Sequence, residues 1–204
     1  MSSRTLAGVL LLEIVLFGAV APNFLTLANF FEITRVGVEV GLLAIAMTPI
    51  VVTGGIDLSV GAMMGLAAVL FGAASRDWGL PAAAAAAVAL AIGLVGGALN
   101  AFLIAALQIP PLIVTLASLS LFRGLAEGVT RGAVNYSGFP PSFVRLGQGY
   151  LWGVMPAQLP LFVAIFAAYA VLLHRSIVGR AWYAIGFTAA GARYAGVPVA
   201  RRVG

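Results

Sequence analysis

One short stretch of the sequence combines glycines, a carboxylate and a hydroxyl within an otherwise apolar chain. It reads TGGIDLSVG and covers residues 53–61. A glycine pair suits a tight reversal of the chain, and Asp57 or Ser59 can cap the next helix by accepting hydrogen bonds from its free N–H groups. Alternatively, an ionisable group at the edge of a membrane bundle is typical of a permeation path or a partner contact. Both interpretations stay open for these residues, which are Gly54, Gly55, Asp57, Ser59 and Gly61.

A second polar stretch, QIPP at 108–111, contains two adjacent prolines. Proline lacks an N–H group and is tolerated in the first turn of a helix, so Pro110 and Pro111 are expected to end one helix and open the next. Hydrogen bonds between helices are the first interpretation of the polar residues nearby, and the lining of a solvated path is the alternative. Those residues are Asn100, Thr115, Ser118, Ser120 and Arg123.

The third stretch is basic and covers residues 175–202, RSIVGRAWYAIGFTAAGARYAGVPVARR. It predicts a short helix over 188–196, because Thr188 is a natural N-cap, Gly196 suits the position after the helix and Pro198 prevents continuation. A helix of this length is unstable alone in water and must dock onto something. Its alanine and glycine faces offer little apolar area for lipid, which favours a protein partner over the membrane surface.

The residue types that most catalytic and metal sites require are scarce. The chain has no cysteine and one histidine, His174, so neither a disulfide framework nor a multi-histidine metal site is expected. It has no lysine, which excludes the Gly-x4-Gly-Lys-Ser/Thr phosphate-binding loop. The sequence therefore predicts no enzyme and no cofactor, and any ATP hydrolysis must belong to another chain.

Composition indicates that these motifs lie in a membrane protein. The sequence is 62% apolar and 8% charged, whereas soluble domains are about 25% charged. A net charge of +5 would suggest nucleic acid for a soluble protein. Here, however, five of the 11 arginines lie between 175 and 202, as expected for a cytoplasmic segment beside a bilayer. The expected environment is the lipid bilayer, with no nucleic-acid partner.

Six apolar segments are long enough to predict membrane spans, which gives an all-α polytopic membrane helix bundle. They cover 5–21, 36–53, 58–74, 80–107, 112–130 and 155–174. The first 22 residues also resemble a secretory signal, but Glu13 and Pro22 favour a retained first helix. Gly93 and Gly97 are spaced for close helix packing in the fourth span.

The arginines predict the orientation of the bundle. Residues 175–204 and Arg4 fall on the cytoplasmic side if six helices alternate, so both termini are expected in the cytoplasm. Residues 131–153 then form an extracytoplasmic loop. The outer loops are expected to hold Arg35, Arg76, Arg131 and Arg145. This scheme divides the chain into a transmembrane bundle over 1–174 and a cytoplasmic segment over 175–204.

Three stretches together resemble the permease subunits of bacterial ATP-binding-cassette (ABC) importers for monosaccharides, a family that includes ribose, xylose, arabinose, rhamnose and autoinducer-2 systems. They are TGGIDLSVG at 53–61, NAFLIAALQIPPLIVTLASLSLFRGLA at 100–126 and GRAWYAIGFTAAGARYAGV at 179–197. The resemblance covers essentially the whole chain. The residue pattern of 123–152 is most similar to that of the rhamnose and autoinducer-2 members.

The resemblance implies a transport role in the inner membrane and a set of partners. In that family two permeases, identical or paralogous, form the pathway, cytoplasmic ATPase subunits drive it and a periplasmic sugar-binding protein delivers the solute. Segment 175–204 then corresponds to the coupling segment that the ATPase grips. The matching residues are Gly179, Arg180, Tyr183, Gly186, Ala192, Arg193 and Gly196. Candidates for the signature motif and translocation path are Gly54, Gly55, Asp57, Ser59, Gly61, Asn100, Pro110, Pro111 and Arg123.

The chain departs from the family at two points. At 187–190 it reads FTAA, where relatives commonly have Gly-Asn and acidic residues, so the details of the ATPase contact are expected to differ. Family members are also longer, so the resemblance implies a C-terminally incomplete permease that lacks the remaining spans.

Two alternatives remain open. One is the related branched-chain amino-acid permease branch of the same fold. The other is an ion- or proton-coupled carrier that works alone. Such a carrier would have to use the membrane-proximal carboxylates, which are scattered along the sequence at Glu13, Glu39, Asp57 and Glu127.

Overall fold

The computed structural model describes residues 3–200, and α-helices dominate this part of the chain. Residues 201–204, the end of the predicted cytoplasmic segment, lie outside the described residues. The helices are α1 Ser3–Val20, α2 Leu27–Val52, α3 Val60–Arg76, α4 Ala82–Ala101, α5 Pro111–Thr130, α6 Pro141–Gln148, α7 Leu159–Arg175, α8 Ile177–Phe187 and α9 Ala189–Tyr194. A π-helical turn, Phe102–Ala106, extends α4, and two short strands, β1 Tyr150–Leu151 and β2 Met155–Pro156, form a hairpin.

The helices have the length and apolarity expected of a membrane bundle. Within residues 3–200, α1, α2, α4 with its π-helical turn, and α5 are each long and apolar enough to cross a membrane. Helices α7 and α8 pass the same test together, although they are bent by 67° at their junction. Helix α3 has 17 residues and is shorter. Each of the six predicted segments contains a helix and the all-α class is confirmed, although segment 155–174 begins with β2 and becomes helical only at Leu159. Only four or five of the spans meet the length criterion.

Helix α2 begins earlier than the sequence predicts, at Leu27 rather than at residue 36. The Thr26 side chain caps it by accepting a hydrogen bond from the backbone N–H of Asn29 at 3.2 Å. The placement of Arg35 in an outer loop was therefore wrong, since Arg35 lies inside α2 in an ion pair with Glu32. Polar residues in the first turns made this part of the sequence look like a loop.

Tyr150 of the hairpin and Gln158, which follows it, form hydrogen bonds with these first turns of α2. The Tyr150 hydroxyl donates a hydrogen bond to the Glu32 carboxylate, which raises the pKa of the tyrosine. The Gln158 side chain donates to the backbone carbonyl of Arg35 at 2.8 Å. The predicted outer loop 131–153 thus contains ordered structure, including α6 and strand β1, and Trp152 at the hairpin tip is 85% exposed.

Helices α3, α4 and α5 form the main packed core. Leu66 of α3 and Phe122 of α5 are almost fully buried. Gly96 lets α4 approach this pair, because a side chain there would overlap Met63 and contact Phe122. The predicted close packing at Gly93 and Gly97 was wrong within the described chain, since no atom lies within 4 Å of a Cβ at either position.

An aromatic cluster covers one end of this core. Phe71 of α3 stacks on Phe143 of α6, with ring centroids 4.3 Å apart, and Phe139 packs against both rings. Nearby, the Tyr136 hydroxyl donates a hydrogen bond of 2.8 Å to Asp77. Helix α6 therefore lies across the end of α3 opposite to Ser59.

A buried polar triad joins α3, α4 and α5 at their other end. The Asn100 amide donates to the Ser59 hydroxyl at 3.0 Å, and the Ser118 hydroxyl donates to the Asn100 carbonyl oxygen. All three side chains are at most 8% exposed. These bonds satisfy polar groups that would otherwise be unpaired in an apolar interior. The predicted hydrogen bonding between helices is thus confirmed for Asn100 and Ser118.

A second group of helices is formed by α2, α7, α8 and α9. Gly41 of α2 admits the Phe162 ring of α7, because a Cβ at this position would overlap that ring. At the bend between α7 and α8, the Ser176 side chain accepts a hydrogen bond of 3.1 Å from the N–H of Gly179. The sequence predicted one short helix after residue 175, whereas the structure has two, α8 and α9.

Replacing Asn100 with leucine tests whether the triad holds the core together. Asn100→Leu keeps the branched shape of the side chain but leaves Ser59 and Ser118 without their amide partner, so the free energy of unfolding should fall by about 1–3 kcal/mol. The measurement is the thermal midpoint of the detergent-solubilised protein by size-exclusion chromatography. Ser120→Ala is the matched control, because Ser120 is exposed and bonds only to the Leu116 carbonyl of its own helix within residues 3–200. Equal midpoints for the two variants would contradict a structural role for the triad.

Candidate coupling and translocation site

The TGGIDLSVG stretch forms the junction between α2 and α3. Helix α2 ends at Val52, and Gly54 has a φ of +81°, a left-handed conformation that glycine adopts without strain. The Asp57 carboxylate then accepts two hydrogen bonds of 2.7 Å, from the backbone N–H and from the hydroxyl of Ser59.

Capping in this junction differs from the simple expectation. Ser59 occupies the N-cap position of α3, but its side chain caps no N–H of that helix. Its hydroxyl is instead bonded to Asp57 and Asn100. The carboxylate thus braces the turn just before the helix, and the turn is tied to the buried triad.

A cavity of about 210 Å³ lies between this junction, α4 and the start of α5. Its polar wall is formed by Thr53, Asp57, Asn100 and Thr115. Thr115 is 1% exposed, and its hydroxyl reaches the Ile56 carbonyl at 3.5 Å, the outer limit for a hydrogen bond. Local sequence patterns do not predict this cavity, because its lining comes from three separate stretches of the chain. Gly55, Gly97 and Pro111 also line it.

The QIPP stretch forms the turn between α4 and α5. Pro110 stands at the N-cap and Pro111 is the first residue of α5, so the prolines separate two helices as predicted. Gln108 has a φ of +56°, and its side chain donates a hydrogen bond of 2.7 Å to the Ala105 carbonyl. This bond satisfies one of the free carbonyls where the π-helical turn ends.

The basic segment folds onto the same end of the bundle. Helix α9 has Thr188 at its N-cap, where the hydroxyl accepts from the N–H of Gly191 at 3.3 Å. Gly196, with a φ of +80°, follows the helix. A groove of about 260 Å³ runs between this segment and the α4–α5 turn. Its lining comes from the TGGIDLSVG stretch, the QIPP stretch and the basic segment. The lining residues include Thr53, Gln108, Pro110, Pro111, Ile185 and Arg193.

Gly186 brings α8 into direct contact with the end of α2. A Cβ at residue 186 would overlap the backbone carbonyl of Val52, so any other residue would push the two helices apart. Gly179 is equally confined, because a side chain there would overlap the Leu173 carbonyl of α7. Gly179 and Gly186, which match the coupling segment of the family, therefore allow close packing of α8 against α7 and α2.

The remaining residues of the segment divide into buried and exposed sets. Ala192 is 4% exposed, whereas Arg180, Tyr183 and Arg193 are exposed. Two further aromatic side chains are almost fully exposed, Phe187 at 91% and Tyr194 at 94%. Both were absent from the predicted site, although an aromatic residue in a segment rich in alanine and glycine is a visible signal.

Arg123 does not join the other candidate residues. It lies on an exposed face of α5 and forms an ion pair of 2.9 Å with Glu127, four residues along the same helix. The membrane-proximal carboxylates are likewise dispersed, because residues 3–200 contain no group of three or more acidic, histidine or cysteine side chains that could hold a metal ion.

Comparison with known proteins places this architecture in a family. A family model described as the permease component of the branched-chain amino acid transport system matches residues 29–203. The chain is also similar to the autoinducer 2 import system permease protein LsrD of several bacteria. The identity is 37% over 202 residues for Photorhabdus laumondii, 36% over 203 residues for Photorhabdus luminescens and 35% over 203 residues for Yersinia pseudotuberculosis.

These alignments cover 96% or 97% of this chain, and the chain spans 60% of the length of each of these three relatives. No solved structure matches the chain. The family match extends over most of the sequence and includes the α2–α3 junction, the α4–α5 turn and helices α8 and α9. The chain therefore belongs to the permease family of ATP-binding-cassette importers that its sequence resembles, and it is a multi-pass protein of the bacterial inner membrane.

Proposed function

We propose that this chain acts as the transmembrane permease subunit of an importer that moves a monosaccharide or an autoinducer-2-like compound into the cytoplasm. The observation that carries the proposal is the groove where the α2–α3 junction, the α4–α5 turn and α8–α9 meet. There, helices α8 and α9, which carry exposed aromatic and arginine side chains, lie against the α2–α3 junction and the α4–α5 turn. Both of these connections border the polar cavity. This arrangement suits the transmission of movement from an external partner to a solute path.

The partner on the cytoplasmic side is proposed to be a separate ATPase subunit. Phe187 and Tyr194 project from a segment that also exposes Arg180 and Arg193. Exposed aromatic and arginine side chains are the residue types enriched at the centres of protein interfaces. ATP hydrolysis on the partner would move α9, and α8 would transmit this movement to α2 through the contact of Gly186 with Val52. A second permease, identical or paralogous, and a periplasmic binding protein complete the proposed assembly.

The solute class follows from the named relatives and from the cavity. The relatives are named as autoinducer 2 import permeases. Among residues 3–200, the cavity lining contains hydroxyl and amide side chains and one charged residue, Asp57. Its carboxylate can accept hydrogen bonds from the hydroxyl groups of a sugar or from the α-ammonium group of an amino acid. The family description favours branched-chain amino acids as the second candidate, so leucine is the proper comparison.

Arg123 and Glu127 are proposed to face a solvated path or a neighbouring permease. Both side chains are more than half exposed and lie within an apolar helix of 20 residues. An ion pair directly in hydrocarbon is costly, so this face of α5 should not contact lipid in the assembled transporter.

An uptake assay tests the proposed function. The complete permease is assembled with its ATPase and binding protein in proteoliposomes, and entry of labelled autoinducer 2, D-ribose, L-rhamnose and leucine is compared with and without ATP. We expect ATP-dependent uptake of at least one of the first three compounds. ATP-dependent uptake of leucine alone would identify the amino-acid branch, and uptake driven by a pH gradient without ATP would identify a carrier.

Gly186→Val tests the proposed transmission route. The added side chain would overlap the Val52 carbonyl and separate α8 from α2. Basal ATP hydrolysis in the complete importer should persist, because the ATPase is on another chain. Its stimulation by loaded binding protein and the rate of uptake should each fall about tenfold, within the usual range for coupling between sites. Ala184→Val, at an exposed position of the same helix, is the control. Normal stimulation in Gly186→Val would show that the contact transmits nothing.

A further inference from the structure

The cavity at the α2–α3 junction is lined by polar groups whose hydrogen-bonding capacity the fold uses only in part. One oxygen of the Asp57 carboxylate accepts both hydrogen bonds from Ser59. The other oxygen accepts none from residues 3–200. A carboxylate can accept about four hydrogen bonds in all. Thr115 is only 1% exposed. Among residues 3–200, its hydroxyl makes a single hydrogen bond, the 3.5 Å contact to the Ile56 carbonyl. Both residues line the cavity.

Size and charge define what the cavity can hold. Its volume of about 210 Å³ corresponds to roughly seven water molecules at about 30 Å³ each, which is the scale of a small sugar. Among residues 3–200, its lining carries one carboxylate and no arginine. An anionic solute such as a phosphate ester would be repelled, whereas hydroxyl groups can donate to Asp57 and exchange hydrogen bonds with Thr115 and Thr53.

The cavity also borders the groove under the coupling segment. Thr53, Ile104 and Pro111 line both spaces. A displacement of α8 and α9 therefore changes the wall that the two spaces share. A solute in the cavity would therefore contact side chains that also border the proposed cytoplasmic segment, at the end of the bundle where release is expected.

We propose that this cavity is a binding site within a single permease subunit for a neutral, multiply hydroxylated solute shortly before its release. The inference rests on the proposed function and deepens it. It places hydrogen-bond recognition in Asp57 and Thr115 rather than only in an external binding protein. The Asn100 amide forms part of the wall, while its bonds to Ser59 and Ser118 hold it in place.

Two glycines of α4 provide a matched pair of variants. Gly97 lines the cavity, and no atom lies within 4 Å of a Cβ built there, so Gly97→Val adds bulk to the cavity without overlapping the structure. Gly93 lies one helical turn away, has equally free space and does not line the cavity. Gly93→Val therefore controls for the effects of a β-branched residue on α4 and on any partner that packs along it.

The test measures binding of labelled autoinducer 2 and D-ribose to the purified complete importer without its binding protein, together with uptake in proteoliposomes. Gly97→Val should weaken binding and slow uptake about tenfold, as expected when a ligand group loses its space. Gly93→Val should match the wild type. Thr115→Val removes a hydroxyl at nearly constant volume, and it should weaken binding by about threefold to tenfold.

The outcomes separate this inference from the proposed function. If the wild-type importer takes up these compounds but Gly97→Val and Thr115→Val bind and transport normally, the cavity is not a solute site and the proposed function stands. If the wild-type importer takes up none of autoinducer 2, D-ribose and L-rhamnose, the proposed function fails first. If Gly97→Val does not insert into the membrane, normal binding by Thr115→Val alone overturns the inference.

Discussion

The contact between Gly186 and the Val52 carbonyl is the interaction on which the proposed mechanism depends. Backbone carbonyl and glycine meet without a side chain between them, so α8 lies directly on the end of α2. The next residues, Thr53 and Gly54, begin the turn that leads to Asp57. In the proposed mechanism, a movement of α8 reaches the polar cavity through one helix end and one turn. Packed elements of this kind transmit displacement because protein interiors deform little.

The membrane imposes the second constraint. Polar groups in a bilayer must find partners inside the protein, and the structure satisfies this requirement unevenly. The triad of Ser59, Asn100 and Ser118 pairs its groups within the core. Arg123 and Glu127 pair with each other but remain exposed, which is acceptable only if this face meets water or another subunit. The same physical rule thus distinguishes the structural core from surfaces that are completed by assembly.

Much of the fold follows from local patterns in the sequence. Long apolar runs located the helices, and the prolines at 110 and 111 marked the turn between α4 and α5. Thr188, Gly196 and Pro198 predicted α9, since capping and termination depend on neighbouring residues along the chain. The start of α2 was missed because its polar first turns are stabilised by Tyr150 and Gln158, which are distant in sequence.

The candidate site was less predictable for the same reason. Asp57 and Asn100 are recognisable as candidates from the residues around them. The role of Ser59 as their common partner and the cavity that they share with Thr115 are not, because both depend on contacts between distant parts of the chain. The packing role of Gly186 depends on a carbonyl in another helix and leaves no trace in its immediate neighbours. Arg123 differs from these residues, because its ion pair with Glu127 lies on an exposed face of α5 away from the cavity, and its place in the translocation path stays a prediction.

Labelling of single cysteines tests the central claim most directly, because these 204 residues contain no cysteine of their own. Tyr194→Cys and Trp152→Cys place thiols at positions that are 94% and 85% exposed in the native structure. A membrane-impermeant maleimide should modify Trp152→Cys in intact spheroplasts and Tyr194→Cys only in inside-out vesicles. Modification of Tyr194→Cys from the periplasmic side would contradict the account, because α8 and α9 could then receive no movement from a cytoplasmic ATPase.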